Sequence, residues 1–121
     1  MQPLNPIKFQ EFLKRFNHFI DAELRSMVIK DATTFLLTFA LQDRAREFDW
    51  ITLTLEFNNV SDAKLLEDSQ LSFVDMSEGV SLFTHNNDIY FGVGEALTPS
   101  LVESASLYIK AITLKYKEGQ F

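Results

Sequence analysis

Residues 50–66, WITLTLEFNNVSDAKLL, constrain the fold of this chain more than any other stretch. Ile51, Leu53, Leu55 and Phe57 alternate with Thr52, Thr54 and Glu56. Successive side chains of a strand point to opposite faces, so this spacing predicts a strand with one face buried. Asn58-Asn59 interrupts the alternation, and a second apolar set follows at Val60, Ala63, Leu65 and Leu66.

The rest of the chain supplies partners for that strand. Residues 5–18 read as an amphipathic helix: Asn5 caps it, Pro6 suits its first position, and Phe9, Phe12, Leu13, Phe16 and Ile20 follow a 3.6-residue rhythm. Lys8, Glu11, Lys14 and Arg15 fall on the opposite side. Residues 22–30 form a strand candidate of mixed faces, and Asp31-Ala32 is a tight connection to a clearer strand at 33–42. The charged connection 43–49 is short enough for an antiparallel return into the opening strand. Within it, Arg44 and Arg46 stand among Asp43, Glu47 and Asp49, which suggests local ion pairing.

Residues 70–76 read as a short strand through Leu71 and Phe73. Residues 80–84 and 89–93 flank His85-Asn86-Asn87-Asp88, and Asn and Asp accept the left-handed backbone of a hairpin turn. The last element, 103–116, is apolar at Ala105, Leu107, Ile109 and Ala111, then at Ile112, Leu114 and Tyr116. A strand cannot keep one face buried through that change of parity unless it bulges or passes from one core to another. Beyond Lys117 the polar tail reads as frayed.

These elements sum to one domain over residues 1–121, α+β in class and mainly β. The expected architecture is an N-terminal amphipathic helix on a curved, mostly antiparallel sheet of six or seven strands, half-barrel or sandwich-like. Twelve phenylalanines spread over most elements fit a Phe-rich core. The absence of cysteine excludes disulfides, thiolate metal sites and thiol nucleophiles. The N-terminal residues show no secretory pattern and no run suits a membrane span, so the expectation is a cytoplasmic chain with no membrane partner.

Net charge is −6, and its distribution says more than its sum. Residues 1–50 balance seven acids against seven bases; residues 51–109 hold nine acids and one base, Lys64; the last twelve residues carry three lysines and Glu118. Such a field repels phosphate backbones and attracts basic partners. Nucleic-acid binding is therefore not expected.

Chemistry-bearing motifs do not emerge. His18 and His85 are far apart, neither at metal-ligand spacing, and no EF-hand, G-x-S-x-G or P-loop pattern occurs. Gly92-Val93-Gly94 lacks the third glycine and the βαβ setting of a dinucleotide loop. The expectation is a protein without catalytic residues, cofactor or metal. If its acids act, they meet a partner. The candidates are Glu56 and Asp62 at polar positions of the opening stretch, and Glu67, Asp68, Asp75, Glu78 and Asp88 in loops and turns.

Phe19-Ile20-Asp21-Ala22-Glu23-Leu24, followed by two strands and Leu53-x-Leu55-x-Phe57-x-x-Val60-x-Asp62, resembles a pattern in small bacterial proteins. Those proteins carry F-H-D-A-E-[LI] near a helix end and L-x-L-x-F-x-x-V-x-D further on. Some are similar to immunity proteins encoded beside polymorphic or contact-dependent toxins. The resemblance covers residues 16–66; Ile20 stands where the family has its histidine, so no role for that imidazole carries over. It implies an immunity protein that neutralises a cognate, basic, nuclease-like toxin domain through its acidic surface. The alternative is a small-ligand-binding or scaffold domain, suggested by a curved sheet able to enclose an apolar cavity.

Overall fold

The computed structural model describes residues 1–121. In chain order the elements are β1 (Gln2–Pro3), α1 (Phe9–Arg15), β2 (Glu23–Asp31), β3 (Thr34–Asp43), β4 (Asp49–Asn58), β5 (Asp62–Lys64), β6 (Val80–His85), β7 (Asp88–Val93), α2 (Pro99–Glu103), β8 (Tyr108–Ala111) and β9 (Thr113–Gln120). The strands form two antiparallel sheets, ordered β1-β9-β4-β3-β2 and β5-β8-β7-β6. The mainly-β α+β class read from the sequence is the one observed. The strand total rises to nine because β1 and β5 are too short to leave an alternation, and because 103–116 divides between two strands.

The core lies between the sheets. Phe35, Leu37, Phe39, Leu41, Ile51, Leu53, Leu55 and Phe57 line the inner face of the five-stranded sheet, and β3 and β4 pair without a slip from Phe35↔Phe57 to Asp43↔Asp49. Phe91 of β7 meets them from the other sheet, 6.3 Å from Phe39 and 5.2 Å from Phe57. Each fully buried Leu or Phe here contributes about 2 kcal/mol relative to an exposed position.

The parity change near the end of the chain has a specific cause. Ile109 and Ala111 pack from the four-stranded sheet, Leu114 from the five-stranded one, and Ile112 between them is about half exposed at 48%. The chain changes sheet at that residue. It does so beside a second crossing: β4 ends at Asn58, Asn59 takes a left-handed φ of 55°, and β5 joins the other sheet. The Ile112 N–H donates to the Asn58 carbonyl and the Ser61 N–H to that of Lys110, at 3.1 and 2.9 Å. The pairing β4–β9 thus continues as β5–β8, one two-stranded ribbon bent from sheet to sheet.

Three further expectations are corrected. The N-terminal helix does not run unbroken to 18. A 3₁₀ turn (Pro6–Lys8) leads into α1, with the Asn5 side chain accepting from the Ile7 N–H at 3.2 Å, and another (Asn17–Phe19) follows it. Asn17, His18 and Phe19 are all left-handed, with φ of 53°, 54° and 62°. Each such residue costs on the order of 1 kcal/mol. The reversal drops Phe19 into the core, 5.1 Å from Phe39, and leaves Ile20 outside, 40% exposed rather than on the helix face. Gly79, at φ +70°, lies so close that a Cβ would collide with the His18 carbonyl oxygen. Residues 70–76 are not a strand, because Asp68–Phe73 winds as a 3₁₀ helix anchored by buried Leu71. The tail is not frayed at Lys117, since β9 stays paired with β4 as far as Ile51↔Gln120.

No helix is long and apolar enough to cross a membrane.

Candidate functional site

A shallow groove of about 440 Å³ lies beside the Asp68–Phe73 turn, lined by Leu66, Gln70, Phe73, Val74, Asp75 and Ser106. In a 3₁₀ helix residues three apart share a side. Leu71 is buried, and Val74, which ends the turn with its N–H donating to the Leu71 carbonyl at 3.3 Å, is half-buried between the core and the groove. Phe73, off that side, is thrown outward and stands 84% exposed.

One acid shares the groove with this aromatic ring, and others lie near it in the chain. Glu67 and Asp68 lie in the chain between the lining residues Leu66 and Gln70, Asp75 lines the groove itself, and all three are exposed without a cationic partner. The Asp75 carboxylate is held below its ordinary pKa by the side-chain and backbone hydrogen bonds of Ser77, the N–H donating at 2.9 Å. Glu78 is exposed on the turn that follows.

The other expected acids are placed differently. Asp62 accepts the Tyr108 hydroxyl at 2.8 Å, and that bond, with burial, pushes the Tyr108 phenol up to about 12. Asp88 sits at the β6–β7 hairpin, 3.7 Å from Lys110 Nζ. The turn itself is as expected, with Asn86 and Asn87 at φ of 51° and 68°. Glu56 belongs to neither group. Its side chain is only 12% exposed on the outer face of the five-stranded sheet, 3.7 Å from Lys30 Nζ. It is a buried, paired carboxylate, which corrects its assignment to an acidic contact surface. That outer face holds an open depression of about 780 Å³ where four cations, Lys30, Arg46, Lys115 and Lys117, outnumber Glu56 and Glu118, so its balance is opposite to that of the groove.

Asp21 and Glu23, the acids of the resembling segment, are not among the residues lining the groove. Asp21 is left-handed and exposed, its N–H donating to the Met76 carbonyl at 2.9 Å; Glu23 pairs with Arg25 at 3.3 Å. No three His, Asp or Glu side chains converge in a way that could hold a metal ion.

Sequence reasoning missed Phe73 as a surface residue. Read as a strand, 71 and 73 share a buried face; wound as a 3₁₀ turn, they part. Asp68-Ser69 before it, a polar start to a helical turn, is the only hint of winding. The groove offers an exposed aromatic ring among unpaired carboxylates, a surface suited to Arg or Lys side chains that stack their stems on the ring and place their charge on the acids. Comparison with family models, with characterised proteins and with solved structures finds no match for this chain.

Proposed function

We propose that this chain is an inhibitor of the immunity type, binding a basic toxin domain through the Phe73 groove and its acids. The observation that carries the reading is Phe73. A phenylalanine left 84% exposed in a groove with Leu66, Val74 and unpaired Asp75, with Glu67 and Asp68 close by in the chain, has no task in the chain's own packing. Interfaces draw most of their affinity from a few such anchors, and complementary charge around them accelerates encounter. The resemblance of residues 16–66 to immunity proteins points the same way. The ligand-binding alternative has less support, because the space between the sheets is filled by Phe39, Phe57, Phe91, Leu37, Leu53, Leu55 and Ile109, all fully buried.

The test is binding to, and protection against, a toxin-type domain encoded next to the gene. Phe73→Ala is expected to weaken that complex about a hundredfold with unchanged thermal stability. Equal affinity for the variant and the parent, or failure to protect cells, would overturn the reading.

A further inference from the structure

The two sheets have four edges, and three are short or covered. β1 has two residues, β5 has three, and β6 is contacted by α1 and the Asn17–Phe19 turn. The fourth, β2, is nine residues long. Its first part runs beside the Asp68–Phe73 turn, where Ala22 and Leu24 are buried next to Leu71 and Met76 while Glu23 and Arg25, paired with each other at 3.3 Å, stay exposed. Its second part is open: Val28 is 51% exposed and Ile29 59%. An open strand edge carries a row of unpaired backbone groups, and two apolar side chains do nothing to repel another strand.

We propose that this edge pairs with the same edge of a second copy, antiparallel and centred on Val28, joining two five-stranded sheets into one. The sequence of β2 is self-complementary in that register. Val28 meets its own copy, Met27 meets Ile29, Ser26 meets Lys30, and Arg25 meets Asp31 twice over by symmetry. Asp31 lies on the outer face that Val28 shares, and Arg25 falls at the irregularity next to Ser26, which is also on that face. Arg25 stacks its guanidinium 4.5 Å from the Phe121 ring, and Asp31 sits opposite Thr34, next but one to Leu36 opposite Val28. Other registers are worse. A one-residue slip pairs residues of opposite faces. Recentring on Met27 sets Glu23 against Asp31, and recentring on Ile29 sets Met27 against Asp31. β2 slips against β3 between Leu24 and Ser26 and between Ile29 and Asp31, and the regular run 26–29 between those slips ends in the exposed pair Val28 and Ile29.

Because the chain has no cysteine, Val28→Cys creates a single thiol. Across an antiparallel pair its two copies would have Cα atoms about 4.5–5.5 Å apart, within disulfide reach. The parent chain should sediment at twice its 13.9 kDa mass at high micromolar concentration and dissociate on dilution. Val28→Cys should cross-link on mild oxidation at least tenfold faster than Thr84→Cys, an exposed control on β6. Val28→Lys, which sets like charges on the symmetry axis at an exposed position, should raise the dimer dissociation constant at least tenfold. A parent chain that stays monomeric to millimolar concentration overturns the proposal. So does a dimer that Val28→Lys leaves intact, or equal cross-linking of the two cysteine variants.

Discussion

Around the five-stranded sheet, the acids that water reaches least are answered by cations, while exposed Asp31 and Asp49 have none. Asp43, fully buried, accepts from Arg15 Nε and Nη2 at 2.9 and 2.7 Å and from the Ala45 N–H at 2.9 Å; Glu118 accepts from Arg15 at 2.7 Å and Arg46 at 2.8 Å; Glu56 has Lys30. Around the four-stranded sheet only Asp88 has an ion pair, with Lys110, while Glu67, Asp68, Asp75, Glu78, Glu95 and Glu103 stand exposed without one. Two populations of carboxylate thus coexist in one acidic chain. The first clamps α1 to the end of the sheet and is spent on structure. The second makes no ion pair on folding, and its mutual repulsion leaves it available to a partner's charge.

The sharpest way to break this division is at Asp43. Asp43→Ala strips Arg15, only 28% exposed, of its bidentate partner and should cost about 3 kcal/mol in urea denaturation. A loss under about 1 kcal/mol would dissolve the distinction. The same residue sets a pH dependence. The Arg15 hydrogen bonds hold the Asp43 carboxyl below its ordinary 3.8, so its stabilisation is complete above that value and is lost as pH falls through the lower folded value. Asp43→Asn should flatten the stability profile below about pH 4 relative to the parent.

On the other side, neutralising Glu67 and Asp68 to Gln and Asn should leave the urea midpoint unchanged or higher while slowing association with a basic partner about tenfold at low salt. A fall in stability would place these acids with the structural group. Tyr108→Phe, which frees Asp62, should cost about 1 kcal/mol, and in the parent one tyrosine should ionise only near pH 12 in an absorbance titration. Smallest of all, Lys8→Ala removes a 3.6 Å pair to Glu11 in which both side chains are mostly exposed, and should shift stability by a few tenths of a kcal/mol at about the limit of measurement.

How much of this was legible in the sequence depended on the range of the interaction concerned. Ile51, Leu53, Leu55 and Phe57 announce β4 because alternation is local and one face of the strand is dry. The parity change at Ile112 announces a break, though only the structure shows that the break is a change of sheet. Arg44, Arg46 and their neighbouring acids suggested pairing within residues 43–49. Arg46 does reach Asp43 at 3.4 Å, but it also takes Glu118, and Arg44 forms no ion pair. The partner that matters most to Arg15 after Asp43 lies 103 residues away, a distance no spacing rule spans. Glu56 is hidden for a related reason: alternation puts it on the wet face, and only the neighbouring strands reveal how little of it water reaches. Phe73 was misread because a short apolar pair fits a strand and a helical turn equally well.

The position of β9 has a consequence for how the chain comes to be folded. β9 lies between β1 and β4, and the Leu4 N–H near the start of the chain donates to the Leu114 carbonyl. Residues 1–58 contain the whole β2–β3–β4 meander, but its β4 edge stays open until residues 113–120 have been made. During synthesis the first half of the protein therefore waits, with an unpaired strand exposed, for its second half. Truncations that remove β9 should be aggregation-prone rather than merely less stable.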